Sequence, residues 1–174
     1  MRATEHEPAF LAYIKRVEGG EEHRDDETGH WFSYYAPEGN ETIGYGHVVL
    51  PHERDVSWLW VTGLSDLQVE TLLKQDLTIA RFGAKDAAGA SHWGELSALQ
   101  QQMLIDFSFN LGPGFYKTFP KFLRCVLEGD IEGALKESKR FYFDPRSRAF
   151  KELKHRNRCF EEFVRAALAA KEAS

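Results

Sequence analysis

The feature that most limits the possible folds is a change of hydrophobic periodicity near Ser65. Before it, an aromatic-rich run at 30–36 and a second extended run at 41–49 flank the turn-forming tetrapeptide 37–40, a pattern typical of an antiparallel hairpin. After it, apolar residues recur at helical spacing almost to the end of the chain. Strands and helices are therefore segregated, and the sequence predicts an α+β fold with a small sheet and a larger helical part.

The first helix is predicted to begin near Pro8 and to end at Gly19-Gly20, because glycine readily terminates helices. Glu18 then lies in the last turn of this helix. Its apolar stripe consists of Phe10, Leu11, Ile14 and Val17. Further helices are predicted at 65–82, 96–111, 119–128, 130–140 and 148–171, with a loop of small residues at 83–94.

Charge is unevenly distributed along the chain. The formal net charge is −5, from 22 basic and 27 acidic side chains. Residues 1–56 carry 12 acidic and five basic side chains, whereas residues 115–160 carry six acidic and 12 basic ones. The net charge argues against a nucleic acid partner, and no DNA-binding motif accompanies the basic region. The basic run from Arg140 to Arg158 is interpreted as a solvated helix face.

Composition also limits the classes of cofactor and compartment. Cys125 and Cys159 lack a metal-binding spacing and are expected to be reduced thiols, and the seven histidines form no ligand cluster. We therefore expect no metal and no other cofactor. No apolar run is long enough to span a bilayer, and the N-terminus lacks the basic-then-apolar pattern of a secretory signal.

Three motifs could carry chemistry, and each has a purely structural alternative. Glu18 could donate a proton if apolar neighbours enclose its carboxyl group, or it could be a solvated surface residue. The glycines of the hexapeptide 42–47 allow close approach of the backbone, or simply bend a strand. Asn110, beside a glycine turn, could donate to a ligand or cap a helix. His47 is interpreted as a structural hydrogen-bonding residue rather than a base.

The order of these motifs resembles the phage lysozyme family of endolysins, glycoside hydrolase family 24. The family's Glu-Gly at a helix end, its tyrosine, its turn and its Thr-Ile-Gly-Tyr-Gly-His hexapeptide correspond here to Glu18-Gly19, Tyr34, Pro37, Gly39 and Thr42–His47. Its apolar helix with Gln and Phe-Asn-x-Gly corresponds to 99–112, and its late basic helix to 153–158. The resemblance extends over residues 8–165.

This resemblance implies a single lysozyme-like domain over residues 1–174. A small antiparallel sheet would belong to the first lobe, at about 1–64. The helix at 65–82 would join it to a helical lobe at about 95–171, and the active-site cleft would lie between the lobes.

The implied activity is hydrolysis of peptidoglycan at the β-1,4 bond between N-acetylmuramic acid and N-acetylglucosamine, for lysis of a bacterial host by a phage or prophage. Glu18 would be the general acid, and Thr42 would hold the attacking water. Tyr34, Phe109 and Asn110 would contact the glycan. The resemblance also implies a monomer, made in the cytoplasm without a signal peptide, that reaches the wall in the periplasm with the help of a holin. Delivery through a secretion system is the alternative route.

The sequence departs from the family's pattern at its second carboxylate. Six residues before Thr42 stands Ala36, whose methyl group cannot accept a proton. The spacing from Glu18 to Thr42 is longer than the family's, and the extra segment lies within 21–33. We predict that Glu27, nine residues after Glu18, supplies the missing acid. The alternatives are Asp25, Asp26, Glu38 and Glu41, or an acidic stretch that is only a solvated loop.

Other mechanisms and functions remain open. Glu18 and Thr42 could suffice without a second acid. Glu18 alone could also catalyse a lytic transglycosylase reaction, in which the muramyl 6-hydroxyl attacks in place of water. A non-catalytic peptidoglycan-binding module is a further alternative, although the retention of both residues argues against it. A structural role, such as that of a phage tail-tip protein, has no support in the sequence.

Overall fold

The computed structural model describes residues 4–36, 39–54 and 62–173. The chain divides into two compact units. One unit, Glu18–Thr78, contains the three-stranded sheet and is called the sheet unit. The other consists of the described residues up to Val17 and from Ile79 onward, and is called the helical unit.

Each predicted helix has a counterpart, most with different bounds, and the short helices Ala90–Trp93 and Phe115–Thr118 were not predicted. Short 3₁₀ helices lie at Thr4–His6 and Glu21–His23. Within the described part of the chain, no helix is both long and apolar enough to cross a membrane. Among the described residues, the α-helices are α1 (Pro8–Glu18), α2 (Asp66–Ala88), α3 (Ala90–Trp93), α4 (Ala98–Leu111), α5 (Phe115–Thr118), α6 (Pro120–Glu128), α7 (Ile131–Glu137) and α8 (Lys154–Glu172).

The sheet consists of three short antiparallel strands with β2 in the middle. Thr42 in β2 lies directly opposite Tyr34 on one neighbouring strand and Val48 on the other. Residues that face each other across an antiparallel pair project from the same face of the sheet. The strands are β1 (Tyr34–Tyr35), β2 (Glu41–Ile43) and β3 (His47–Val48).

The strands are shorter than the sequence predicts. The second predicted strand is wrong in one respect, because a turn at 44–46 divides it into β2 and β3. The first predicted strand is reduced to β1, because Trp31 instead forms isolated bridges with Arg24 and Leu64.

The glycines of the hexapeptide are required by local geometry. Gly44 and Gly46 have φ angles of 60° and 93°, in the left-handed region that disfavours side chains. A Cβ on Gly44 would overlap Cγ1 of Val69, and a Cβ on Gly20 would lie 2.5 Å from the Gly44 carbonyl oxygen. The predicted close approach of the backbone is therefore present, with the turn packed between α2 and the segment after α1.

The sheet unit has its own apolar core. Trp31 is its largest member, with 2% of its surface exposed, and its indole nitrogen donates a hydrogen bond to Asp66 at 2.7 Å. Asp66 also accepts two hydrogen bonds at 3.0 Å from Arg24. These contacts fix the 24–31 segment to the first turn of α2. The core residues are Trp31, Ile43, Val49, Leu64 and Val69.

In the helical unit, α4 is a central buried helix. Ser97 and Gln100 form a capping box at its start, and Gly112, with φ of 81°, follows its last residue. Every residue from 102 to 108 is buried, as expected for a helix that is apolar on several faces. The ring of Phe107 contacts those of Phe115, Phe119, Phe122 and Phe160.

The predicted loop at 83–94 is wrong, because α2 continues through the first half of it and α3 follows. Gly83 lies inside α2, where a Cβ would come within 2.6 Å of Ser108 Oγ and 2.8 Å of Pro113 Cβ. The missing side chain therefore permits close packing of α2 against the end of α4, and is not a loop signal. Gly89, with φ of 80°, is the residue that separates α2 from α3.

A β-hairpin between α7 and α8 was not predicted. Its strands are β4 (Phe141–Asp144) and β5 (Ala149–Glu152), with Phe143 opposite Phe150 and their rings 5.5 Å apart. The predicted helical ends at 138–140 and 148–153 are therefore wrong. An aromatic pair across two strands stabilises a hairpin, and this pairing outweighs the helical tendency of the flanking segments.

Candidate active site

Glu18 is the last residue of α1 and the first of the sheet unit. Gly19 and Gly20, both with positive φ, redirect the chain immediately after it. The turn between β2 and β3 passes beside its side chain, since a Cβ on Gly46 would lie 3.8 Å from the Glu18 Oε2 atom. Because Gly46 carries no side chain, the turn leaves space next to this carboxylate.

Thr42 lies in the middle strand and is 4% exposed. Its hydroxyl donates a hydrogen bond to the Asn40 carbonyl oxygen at 3.2 Å. The hydroxyl oxygen therefore has acceptor capacity for a further group such as a water molecule.

Tyr34 lies opposite Thr42 in the β1–β2 register and within electrostatic range of Glu18. Burial raises the pKa of its phenol, and the negative charges of Glu22 and Glu18 raise it further. The ring of His23 stacks on that of Tyr34, with centroids 3.6 Å apart and planes inclined by 15°. The structure therefore brings Glu18, Tyr34 and Thr42, all selected from the sequence, into one region of the sheet unit.

Glu27, the predicted second acid, lies at an exposed turn. The turn is closed by a hydrogen bond from Asp25 N to His30 O at 2.8 Å. The Asp25 carboxylate accepts the amide and the hydroxyl of Thr28, both at 2.7 Å, and these bonds lower its pKa. Asp25 thus stabilises the turn, Asp26 beside it is exposed, and the role of Glu27 stays a prediction.

Glu41 lies on the opposite face of β2 from Thr42, because successive residues of a strand alternate in direction. It is 1% exposed, accepts a hydrogen bond from Ser33 Oγ at 2.8 Å and lies 3.6 Å from Arg54 Nε. These partners indicate a structural role for its carboxylate. Glu38, another alternative acid, lies outside the described residues.

At Ala36, where the family's acid was expected, the backbone forms the β1–β2 turn. Its N–H donates to the Asn40 carbonyl oxygen at 2.9 Å, and its own carbonyl accepts the Gly39 N–H at 2.8 Å. The methyl side chain offers no proton acceptor, so another group of the site must accept a proton if one is required.

His47, the last residue of the hexapeptide, lies between two carboxylates. Its Nδ1 is 2.9 Å from Asp76 and its Nε2 is 3.1 Å from Glu53. The hydrogen bond to Asp76 raises the pKa of His47, outweighing its burial. Burial acts to raise the pKa of Glu53, but the Leu50 N–H and His47 lower it overall. His47 therefore joins β3 to α2 through hydrogen bonds on both of its ring nitrogens.

Phe109 and Asn110, the predicted glycan contacts of the helical unit, lie in the last turn of α4. The side-chain oxygen of Asn110 accepts a hydrogen bond from Arg140 Nη1 at 3.3 Å. Phe109 is partly buried. Asn110 is thus connected to a buried ionic network, a contact that its place next to a glycine turn did not indicate.

The centre of that network is Asp106, which is fully buried in α4. Its carboxylate accepts hydrogen bonds from Arg140 at 2.7 Å and from the Tyr13 hydroxyl at 2.9 Å, and lies 3.5 Å from Arg156. Arg140 is 0% and Arg156 9% exposed. The interpretation of 140–158 as a solvated helix face is therefore wrong for these two arginines, which neutralise a carboxylate that could not stay charged alone in the interior.

Among the described residues, no group of three or more His, Cys, Asp or Glu side chains could hold a metal ion. Cys125 and Cys159 are both buried free thiols.

Comparison with solved structures gives a match to the muramidase domain of SpmX from Asticaccaulis excentricus. The two chains are 20% identical, with a TM-score of 0.62 over 91% of this chain and 93% of the other. At this identity the match establishes the fold and confirms the predicted lysozyme-like α+β architecture. No curated protein sequence matches the chain.

A family comparison gives a match to the model of the phage lysozyme family over residues 27–159. The matched region includes Tyr34, Thr42, Phe109 and Asn110, whereas Glu18 precedes it. It covers well over half of the chain. The chain therefore belongs to the phage lysozyme family and is a lysozyme-type glycoside hydrolase that acts on peptidoglycan.

Proposed function

We propose that the chain hydrolyses the β-1,4 bond between N-acetylmuramic acid and N-acetylglucosamine, with Glu18 as general acid and Thr42 as the residue that holds water. The observation that carries the proposal is the position of the Glu18 carboxylate beside Gly46, in the same unit as Thr42. Tyr34, the cross-strand partner of Thr42, is proposed to contact the sugar, as are Phe109 and Asn110 in the helical unit.

Each proton transfer in the proposed reaction has a donor and an acceptor. Glu18 donates its proton to the leaving oxygen as the bond to the muramyl C1 atom breaks. A water molecule held by the Thr42 hydroxyl forms the new bond to C1 and loses a proton to a second group. The sequence predicts Glu27 for this second group, and that assignment is tested below together with an alternative.

A turbidity assay tests the role of Glu18. On Gram-negative cells without their outer membrane, wild type should clear the suspension, whereas Glu18→Gln should bind the cells without clearing them. Glu95→Gln is a matched control, since Glu95 is an exposed residue of the helical unit and should leave clearing unchanged. Clearing by Glu18→Gln at the wild-type rate would contradict the proposal.

A lytic transglycosylase reaction is the second candidate, and Ala36 is the observation that favours it. An enzyme without a carboxylate at this position could use Glu18 alone and let the muramyl 6-hydroxyl attack C1. Mass spectrometry of the released muropeptides distinguishes the two reactions. Reducing ends support hydrolysis, and 1,6-anhydro ends would show transglycosylation.

We further propose that the protein is an endolysin of a phage or prophage and acts as a monomer that depends on a holin for access to the wall. Membership in the phage lysozyme family supports this role. Expression in a Gram-negative host with and without a co-expressed holin tests it. Lysis should require the holin and should fail with Glu18→Gln.

A further inference from the structure

The hydrolysis proposed above has one task for which the sequence alone, through Glu27, names a residue. A glycosidase that uses water needs a group to accept the water's proton, besides the acid that protonates the leaving oxygen. Ala36 cannot do this. The Tyr34 phenol is a poor candidate, because burial and two neighbouring carboxylates favour its protonated form.

We propose that His23 is the group that accepts this proton and that the neighbouring Glu22 assists it. The inference rests on the proposed function of Glu18 and Thr42, and it assigns a role to the segment inserted between α1 and β1.

The fold of this segment positions His23. Directly after Gly20, residues Glu21–His23 form a 3₁₀ helix, and the Phe32 N–H donates a hydrogen bond to the His23 carbonyl oxygen at 3.1 Å. These contacts fix both ends of the His23 backbone next to β1. Its imidazole then lies flat on the Tyr34 ring, 3.6 Å away, with 34% of the side chain exposed. A stacked but partly exposed imidazole is held in place and remains accessible to water.

The position of Tyr34 connects this imidazole to the reacting groups. Tyr34 is the cross-strand partner of Thr42. Because His23 stacks on Tyr34, the Tyr34 side chain separates His23 from the proposed water-holding residue. Tyr34 is also within electrostatic reach of Glu18. Glu22 and Glu18 are the carboxylates whose charges act on the Tyr34 phenol.

Glu22 provides a partner for the charged form of His23. One of its carboxylate oxygens lies 3.9 Å from His23 Nε2. A carboxylate beside a histidine base stabilises the imidazolium that forms when the base takes a proton, as in other hydrolases. By contrast, Glu27 is exposed at its turn, Asp25 is bonded to Thr28, and Glu41 lies on the other face of β2.

The step is balanced as follows. A neutral imidazole nitrogen of His23 removes one proton from water as the water oxygen bonds to C1. Glu18 transfers its own proton to the leaving oxygen. His23 then releases its proton to solvent and Glu18 takes one up, which restores the starting state.

Kinetics of His23→Gln and His23→Phe on purified peptidoglycan test the proposal. Both should lower kcat by about 10²- to 10⁴-fold with little change in KM, the range for loss of a general base. His23→Phe keeps an aromatic ring on Tyr34 but has no nitrogen, so normal activity of this variant would mean that His23 only supports Tyr34 and would overturn the proposal. Glu22→Gln should lower kcat less, by about tenfold.

A pH profile separates a base from a structural residue. His23→Asp should recover part of the activity lost in His23→Gln, and the acidic limb of its kcat profile should lie at lower pH than that of wild type, because carboxyl groups ordinarily titrate at lower pH than imidazoles. An unmoved limb would contradict the assignment.

Controls distinguish this inference from the proposed function. His92→Gln removes an exposed histidine of α3 and should behave as wild type. If Glu18→Gln is inactive while His23→Gln is active, the present proposal fails and the proposed function stands. If Glu18→Gln is active, the proposed function itself fails. Loss of activity in Glu27→Gln but not in His23→Gln would assign the base to Glu27.

Discussion

The Arg140 guanidinium lies 2.7 Å from the Asp106 carboxylate, and neither side chain is exposed to solvent. Breaking such a pair leaves one charge unpaired in the interior. We therefore expect Arg140→Met to lower the free energy of unfolding by about 3–5 kcal/mol, measured by urea denaturation.

The matched control for this prediction is Arg146→Met. Arg146 is exposed at the tip of the β4–β5 hairpin, and its hydrogen bond to Asp144 comes from its backbone N–H, which the substitution retains. This variant should change the free energy of unfolding by less than about 0.5 kcal/mol. Equal effects of the two substitutions would show that the buried pair contributes no more than a surface arginine.

The His47 cluster predicts a pH dependence of stability. The pKa of His47 is raised above its ordinary value of 6.5, so its contribution is complete below about pH 6.5 and is lost as pH rises through the raised pKa. The pKa of Glu53 is lowered from 4.5, so its contribution is present above about pH 4.5 and is lost as pH falls through the lowered pKa. Both His47 and Glu53 therefore stabilise the folded protein fully between about pH 4.5 and pH 6.5.

His47→Gln tests the predicted loss of the His47 contribution to stability as pH rises. The variant should be less stable than wild type by about 1.5–3 kcal/mol at pH 6, the range for hydrogen bonds to charged groups, and the difference should shrink as pH rises through the raised pKa of His47. Thermal or urea unfolding at several pH values measures it, with His92→Gln as the control that should show no such trend. A difference that grows with pH would show that neutral His47 is the stabilising form.

Much of the fold was predictable because local patterns specified it. The helical periodicity of Phe10, Leu11 and Ile14, and the glycines after Glu18, defined α1 and its end. The hexapeptide indicated a close approach of the backbone, although its division into two strands depends on the turn at Gly44 and Gly46.

The sequence-based predictions were wrong for residues whose role depends on contacts with distant parts of the chain. Gly83 has the composition of a loop but serves helix packing against Ser108. Arg140 belongs to a basic run, yet its side chain neutralises Asp106. In the candidate site, the role of Glu27 stays a prediction, whereas the stacking of His23 on Tyr34 can be recognised only in the folded sheet unit.

The contact between Gly44 and Val69 gives a prediction about packing. Gly44→Ala places a Cβ against the Val69 side chain and also incurs the cost of a positive φ angle. Gly39→Ala has the same kind of φ, 85°, but its Cβ would meet nothing within 4 Å. The difference between the two variants in free energy of unfolding should be about 1–3 kcal/mol, the cost of overpacking.

A double variant checks the cause. Val69→Ala removes the atoms that a Cβ on Gly44 would meet, so Gly44→Ala should cost less in the Val69→Ala background than in wild type. The coupling between the two substitutions, measured by a double-mutant cycle in urea, should be at least about 0.5 kcal/mol. Additive effects would show that backbone strain alone accounts for the loss.

Thr42→Val provides a test of the proposed water-holding role that separates chemistry from folding. The substitution keeps the branched shape of a side chain that is 4% exposed and removes only the hydroxyl. Since that hydroxyl already donates to the Asn40 carbonyl oxygen, its lone pairs are what a water molecule could use. We expect kcat on peptidoglycan to fall about 10²-fold, with Thr42→Ser retaining most of the activity.

Thr71→Val is the control, because the Thr71 hydroxyl donates to the Leu67 carbonyl oxygen in α2, a comparable bond on an exposed helix surface. Its activity and free energy of unfolding should both stay near wild type. If Thr42→Val retains full activity, the water must be held elsewhere. If its activity falls only in proportion to a loss of folded protein, seen as a lower urea midpoint, Thr42 is a residue of the sheet and not of the reaction. A loss of kcat with an unchanged midpoint is the result that the position of Thr42 in β2 predicts.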